Sequence, residues 1–529
     1  MYTANRKKKG VVMCGIAGAF GTSDTNITDT KIKVEKMLVS LGHRGPDACG
    51  TYQAGNLSIG NTLLKITGDM PQPLIGKGAL VLNGEIFNFR DLATEAGIKT
   101  GSDTEVLFFL IETRIKEGDS PINAVLSVLS RVNGDYALAY SFDDELVLAR
   151  DPVGVKPLFY FSENFSGKGI EKKTEKPEIV FASEKKAIFA VRTSTGAGTS
   201  TGTGTNTGTS TKPFPPGSIM SFNLQNGKVE ERCLKIKPPQ ERISRENEAA
   251  LRLKESLEKA VDLRLTAASG IAFSGGIDST FLAALAKKIN PTIPLYAVGL
   301  PDSHDIKQAE SAAKAIGMRD SLKIHFLSPD DIEAAVPNVI FATESVDPLR
   351  IAIGLPLYFV AKTAREDGKR VLLTGQGADE LFGGYRRHED FFEQGSEVLD
   401  REIYSDLENI STINLERDDM VTMANSVELR VPFLDKDVIK TGLEISPELK
   451  VLKKDGFYIR KYILRKAAAD LLPPALLWKE KKAMQYGTGV QKVLDKLSRD
   501  AGFSKKGGNH IEKYLKQVAS ENGFKFISN

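Results

Sequence analysis

The sequence predicts a two-domain chain of mixed class: an α+β layered domain over residues 14–225, then an α/β parallel-sheet domain over residues 248–500. Three observations carry this. From Met13 to about Phe222, short strands alternate with Gly, Pro and Asp turns and only two helices, the grammar of a layered α+β domain. Beyond residue 248, strands and helices alternate one for one, which puts a parallel sheet under helices on both faces. Between an apolar run and a helix stands Gly270-Ile271-Ala272-Phe273-Ser274-Gly275-Gly276-Ile277-Asp278-Ser279, a strand, a small-residue turn and a helix start.

In the first region, apolar residues at helical spacing predict helices over 32–41 and 104–116. Strands are expected at 79–82, 136–142 and 146–150. Residues 193–211 are almost entirely Thr, Gly and Ser and read as a flexible surface insert. Residues 226–247, charged and proline-bearing, read as a linker. An amphipathic helix over 248–265 opens the second region. The elements 271–273, 279–289, 294–299, 306–316, 322–327, 355–366 and 370–374 follow, and from Glu380 onward the pattern is mainly helical. Residues 501–529 are a polar tail of no assigned role, and residues 1–13 are a basic extension without a signal peptide's apolar segment.

With 41% hydrophobic and 26% charged residues, the composition is that of an ordinary soluble protein. A net charge of +3 gives no argument for nucleic acid or a membrane as partner, and the longest apolar run, Ile351 to Ala361, is too short to span a bilayer. Three cysteines are too few for a disulfide framework, which predicts a cytoplasmic protein and makes a single cysteine more interesting as a nucleophile.

The turn at 274–279 has the chemistry of a phosphate cradle. Glycines let the backbone approach an anion, successive N–H groups point into it, and the helix dipole favours its charge. Ser274 and Ser279 add hydroxyls, and Asp278 stands where a carboxylate would hold Mg²⁺ against phosphates. A second strand runs into a Gly-rich turn at Thr374-Gly375-Gln376-Gly377-Ala378-Asp379-Glu380. In a parallel sheet both strands end at the ligand edge, so Asp278 and Asp379 are expected to share the Mg²⁺, with Val298 on the neighbouring strand beside an adenine. The bland alternative, two unrelated tight turns, suits either segment alone and not both. The Ser-Gly-Gly-x-Asp-Ser loop resembles that of the ATP pyrophosphatases, which cleave ATP to AMP and pyrophosphate; no Walker-type G-x-x-x-x-G-K-[ST] is present.

Near the N-terminus stands Met13-Cys14-Gly15-Ile16-Ala17-Gly18. A cysteine with a free α-amine carries its own base, since that amine titrates near roughly 7.7–8.0. For this to operate, translation must begin at Met13 or residues 1–13 must be removed. Downstream come His43-Arg44-Gly45-Pro46-Asp47, Leu82-Asn83-Gly84-Glu85, Gly101-Ser102-Asp103, Asn133-Gly134-Asp135 and Arg150-Asp151-Pro152. Singly these are turns. In this order they resemble the glutaminase domain of the class II, N-terminal-nucleophile amidotransferases, an αββα fold. The resemblance implies that Cys14 attacks the glutamine carboxamide, that Asn83 and Gly84 form the oxyanion hole, and that Glu85 and Asp103 hold the substrate amino group. The arginine that such domains place near Leu63 is absent; if the segment is a strand, Lys65 shares a face with Leu63 and substitutes as a point charge.

Across residues 248–490 the order of segments, with Arg417-Asp418, Glu428-Leu429-Arg430-Val431-Pro432-Phe433-Leu434-Asp435 and Trp478-Lys479-Glu480-Lys481-Lys482, resembles the glutamine-hydrolysing asparagine synthetases. The resemblance implies glutamine, aspartate and ATP as substrates and Mg²⁺ as cofactor. Phe273, Ser274, Gly275, Gly276, Asp278, Ser279, Val298, Thr374 and Gly375 would bind ATP, and Lys481, with Lys479 and Lys482 as the neighbouring alternatives, would be the cation on the reacting phosphates. A carboxylate usual at Gln376 is replaced by an amide, which cannot take a proton from ammonium. The alternative enzyme adenylates another carboxylate, and the non-enzymatic alternative is an interaction or storage protein. A homodimer is compatible with either reading.

Overall fold

A computed structural model describes residues 14–21, 28–45, 47–66, 70–167, 177–192, 211–478, 487–506 and 508–527. The chain divides into two compact units, Met1–Asp151 with Lys156–Leu234, and Lys235–Asn529 with Pro152–Val155.

The first unit contains β1 (Gly15–Gly21), α1 (Thr28–Ser40), β2 (Ala48–Ala54), β3 (Leu57–Leu63), β4 (Leu74–Ile75), β5 (Ala79–Ile86), α2 (Phe89–Glu95), α3 (Asp103–Lys116) and α4 (Pro121–Leu129). It continues with β6 (Gly134–Phe142), β7 (Glu145–Arg150), β8 (Phe159–Glu163), β9 (Glu178–Ala182), α5 (Lys185–Arg192), β10 (Lys212–Pro213), β11 (Ser218–Asn223) and β12 (Val229–Cys233). These make two six-stranded antiparallel sheets, ordered β10-β8-β9-β1-β3-β2 and β12-β11-β7-β6-β5-β4. Alternation sorts each strand's side chains between two faces. On β5, Ala79 and Val81 join Ile16, Ile59, Leu148 and Phe181 in a core between the sheets. Leu80 and Leu82 face the other way, into a core with Val106, Ile111 and Val125 of α3 and α4. Helix, sheet, sheet and helix follow as layers. β12 falls within the stretch expected to be linker, because its pairing with β11 claims residues that composition alone marks as polar connector.

The second unit is built on a five-stranded parallel sheet, β15-β14-β13-β16-β17, comprising β13 (Ser269–Ala272), β14 (Leu295–Gly299), β15 (Leu322–Phe326), β16 (Val371–Leu373) and β17 (Glu428–Arg430). The chain enters through α6 (Glu246–Arg264). It passes β13, α7 (Ile277–Ile289), β14, α8 (His304–Ala315) and β15 in one direction across the sheet. It then returns through α9 (Pro329–Thr343) and α10 (Pro348–Glu366) to β16 on the other side of β13. Right-handed crossovers in opposite directions put α7 and α8 on one face and α9 and α10 on the other. The reversal makes the gap between β13 and β16 the topological switch point, where open α/β sheets bind ligands.

Residues 501–529 are not merely a polar tail. A helix at His510–Glu521 sends Ile511, Tyr514, Leu515 and Val518 into the core shared with α9 and α10. With Ala519, these five buried apolar residues are spread at helical spacing among charges, so average polarity hides the buried stripe. None of the described helices is long and apolar enough to cross a membrane.

Candidate active site

Cys14 precedes β1, and its thiol accepts the Leu64 N–H at 3.2 Å and donates to the Leu64 carbonyl at 3.7 Å. Its carbonyl accepts from Arg44 Nε at 3.1 Å. Arg44 is fully buried and is held through Nη1 by Glu184 at 2.9 Å. Glu184 also takes His43 Nε2 at 2.9 Å and Lys186 Nζ at 2.6 Å. Burial alone would raise the Glu184 carboxyl, but His43, Lys186 and Arg44 hold it well below the usual carboxylate range. Burial lowers His43 below its ordinary value against the pull of Glu184. The carboxylate thus ties the His43-Arg44 turn to the end of β9, and the arginine carries that anchorage to the backbone of Cys14.

Asn83 and Gly84 lie within β5. Asn83 is 1% exposed, and its amide donates to Ser183 Oγ at 3.4 Å. Ser183 Oγ also accepts the Ile16 N–H at 2.9 Å, so one hydroxyl links the predicted oxyanion donor to the strand that Cys14 opens. Gly84 has φ of +154°, and a Cβ there would lie 2.1 Å from the Asp135 carbonyl oxygen, so only glycine fits. Asp103 begins α3 and accepts the Ile86 N–H through Oδ2 at 2.9 Å, which brings it to the end of β5 beside Glu85. Cys14, Asn83, Gly84, Glu85 and Asp103 therefore gather around the edges of β1 and β5. The strand condition attached to Lys65 is not met: β3 ends at Leu63, so the two residues share no strand face, and Lys65 is exposed with its N–H on Asp47 Oδ2 at 2.9 Å. Residues 1–13 and the Thr/Gly run at 193–210 lie outside the described residues.

In the second unit the two glycine turns leave adjacent strands at the C-terminal edge of the sheet. Phe273 to Gly276 joins β13 to α7, and the turn is self-tied: the Ser274 N–H donates to Ser279 Oγ at 3.3 Å, and Gly276 N–H to Ser274 Oγ at 3.4 Å. Gly275 has φ of +70°, and a Cβ there would meet the Gln308 carbonyl oxygen at 2.6 Å. Thr374 and Gly375 follow β16, where a Cβ on Gly375 would sit 2.8 Å from Asp278 Cβ. Thr374 Oγ1 is buried without a hydrogen-bond partner among the described residues, an acceptor and donor left for a ligand. Val298 is buried near the end of β14. All nine residues expected to bind ATP thus lie at three neighbouring strand ends or in the turns and first helical turn just beyond them. Lys481, with Lys479 and Lys482, lies outside the described residues.

One residue was invisible to sequence reasoning. Lys461 Nζ lies 2.7 Å from Asp278 Oδ1, 2.8 Å from Asp278 Oδ2 and 2.7 Å from Asp379 Oδ1. The two predicted metal carboxylates do converge on one point, and a cation there touches both. Among the described residues no cluster of three or more His, Cys, Asp or Glu could hold a metal alone. Two carboxylates with the remaining positions left to phosphate and water suit Mg²⁺, so the donor set fits the ion. Nothing in the basic run Arg460-Lys461 distinguished the lysine, which reaches Asp278 across 183 residues of sequence.

Glu380, beside Asp379, is buried. Its Oε1 takes Asn414 Nδ2 at 2.7 Å and the Tyr385 hydroxyl, while Oε2 has no partner among the described residues. Burial and then the Asp379 charge push its carboxyl up. Asn414 lies in a π-helical turn, Ser411–Leu415, inserted in the long helical stretch that follows Ser396, a distortion frequent at functional sites.

The asparagine synthase family model matches residues 252–394 and 391–517, and the glutamine amidotransferase domain model matches residues 13–202. A protein of Methanocaldococcus jannaschii, provisionally named asparagine synthetase [glutamine-hydrolyzing] 1, is 34% identical over 96% of this chain and 100% of its own length. The chain belongs to the glutamine-hydrolysing asparagine synthetase family. Asparagine synthetase [glutamine-hydrolyzing] 1 of Arabidopsis thaliana is 27% identical over 97% of this chain and 87% of its own. Among solved structures, the glutamine phosphoribosylpyrophosphate amidotransferase of B. subtilis covers 74% of this chain and 92% of its own at 17% identity and a TM-score of 0.32. The NMN synthetase of Francisella tularensis covers 53% and 96% at 15% identity and a TM-score of 0.24. At such scores these likenesses carry no weight beside the family match.

Proposed function

We propose that this chain makes asparagine from aspartate, with ATP as activator and glutamine as nitrogen donor. The observation that carries the reading is the convergence of two glycine turns at the switch point, with Asp278 and Asp379 aimed at a single cation position. In the first unit, once Cys14 is the N-terminal residue, its thiol gives its proton to the freed α-amine and attacks the glutamine carboxamide. The oxyanion forms against the Asn83 amide and the Gly84 N–H, each donor worth about 2.7–4 kcal/mol. The C–N bond breaks, ammonia leaves, and water cleaves the γ-glutamyl thioester to glutamate. Glu85 and Asp103 hold the glutamine amino group.

In the second unit, Ser274, Gly275, Gly276 and Ser279 cradle the departing pyrophosphate, while Phe273, Val298, Thr374 and Gly375 seat the nucleotide. The aspartate β-carboxylate attacks the α-phosphorus, the α–β bridging bond breaks, and pyrophosphate leaves. Ammonia then attacks the acyl carbon of β-aspartyl-AMP and AMP departs. Mg²⁺, when bound, supplies charge neutralisation of the phosphates, with Asp278 and Asp379 as its protein ligands. Lys481 would add a cation to the same charge. Making ammonia on the same chain supports the reading, because free ammonia is mostly protonated at neutral pH and then cannot attack.

Pyrophosphate release measured with Mg·ATP and a panel of carboxylates tests this. Aspartate should elicit it, and a response to another carboxylate but not to aspartate would favour the alternative acceptor. Cys14→Ala should lose glutamine-dependent synthesis and keep ammonia-dependent synthesis. Loss of both in a folded variant would refute two separable sites.

A further inference from the structure

Lys461 has no part in the steps above, yet three features of the chain exist to place it. It is 2% exposed, so its ammonium is withdrawn from water and depends on Asp278 and Asp379 for compensation. Its backbone is left-handed, at φ of 54°, a conformation that few residues other than glycine adopt and that here opens the helix Tyr462–Ala467. Gly384 leaves room for the pair, since a Cβ there would lie 2.0 Å from Asp379 Oδ1 and 2.3 Å from Lys461 Cε. The Gly384 N–H also bonds the Asp379 carbonyl at 2.8 Å, which fixes the loop against that carboxylate.

An ammonium and a divalent cation held at contact distance on these oxygens repel strongly, because water screens little there. Displacing the ammonium therefore requires another anion to receive it. In the neighbourhood of the two glycine turns, the anion that arrives is the triphosphate.

We propose that Lys461 is the resident counter-ion of the nucleotide-free site, holding Asp278 and Asp379 together and closing them to free divalent metal, so that metal enters only with its nucleotide. This rests on the reading of Asp278 and Asp379 as the metal carboxylates. The lysine also keeps the buried Asp278 and the half-buried Asp379 from repelling the incoming triphosphate, and it fixes their spacing before the substrate arrives.

The test is Mn²⁺ binding to the full-length protein without nucleotide, followed by electron paramagnetic resonance of the free ion. Lys461→Gln should bind Mn²⁺ at least about tenfold more tightly than wild type, with Lys461→Arg as weak as wild type. Equal affinity in wild type and Lys461→Gln would overturn the proposal. Should Lys461→Gln fail to fold, the wild type decides alone. A stoichiometric Mn²⁺ site in the nucleotide-free protein that Asp278→Asn abolishes would overturn it, and the lack of such a site supports it. These readouts need no turnover. If aspartate elicits no pyrophosphate while Lys461→Gln gains Mn²⁺, the functional reading fails and this inference stands; the converse pattern refutes the inference alone.

Discussion

Gly84→Ala isolates the oxyanion hole by backbone geometry alone. In the folded chain an alanine Cβ at this position would lie 2.1 Å from the Asp135 carbonyl oxygen and 2.7 Å from Tyr136 Cα, both backbone atoms of the paired strand β6. Ordinary contact begins at 3.4 Å, so the strand must shift by more than about 1 Å, and a φ of +154° must also be abandoned. The N–H of residue 84 moves with it. A misplacement of about 1 Å costs on the order of 10²-fold in rate, and complete loss of one oxyanion donor costs about 10²–10³-fold. The expected result is a fall of about two orders of magnitude in glutamine hydrolysis, with ammonia-dependent pyrophosphate release unchanged. Both activities are measured on the same preparation, with folding checked by circular dichroism. Glutaminase activity within a factor of about three of wild type would refute the assignment of Gly84, since a displacement of that size cannot leave a working donor in place.

Three other perturbations follow from named environments. Asp278→Asn should abolish synthesis from glutamine and from ammonia alike, and activity surviving in either assay would clear Asp278 of the metal role. Lys450 is fully buried with no hydrogen-bond partner for its Nζ among the described residues, and burial pushes its pKa down to about 7. Unfolded, it keeps its proton to about pH 10.4, so between these values the unfolded chain binds more protons and stability rises with pH. Lys450→Met removes that penalty and should stabilise the protein at pH 7 by up to roughly 4–5 kcal/mol, the gain shrinking toward zero near pH 10; urea denaturation across that range checks it, and a gain flat with pH refutes it. Leu515→Ala empties a fully buried position in the C-terminal helix and should cost about 2–5 kcal/mol, whereas a solvated tail would show no change in melting temperature.

Elements whose periodicity is local were legible in the chain. The strand over 79–82 appears within β5, the helix over 104–116 within α3, and the alternation after residue 248 becomes the parallel sheet. The glycine turns at 274–276 and 374–377 were legible for the same reason: φ requirements and close approach act within a few residues. The strand face shared by Leu63 and Lys65 did not form because strand length depends on pairing, and β3 stops at Leu63. The C-terminal tail reads as polar because its five buried apolar side chains matter only once α9 and α10 supply the surface that buries them.

Sequence by itself determined the inventory: a cysteine before a glycine-rich strand, two phosphate-type turns, and two carboxylates at matching places in those turns. Tertiary structure decided how that inventory is held. Ser183 joins Asn83 to β1 across 100 residues, Glu184 carries Arg44 to the backbone of Cys14, and Lys461 closes the gap between Asp278 and Asp379. Local patterns report which face of an element is apolar and where a turn must fall. Which charge meets which is set by the path of the chain between elements, and no window of sequence contains that path.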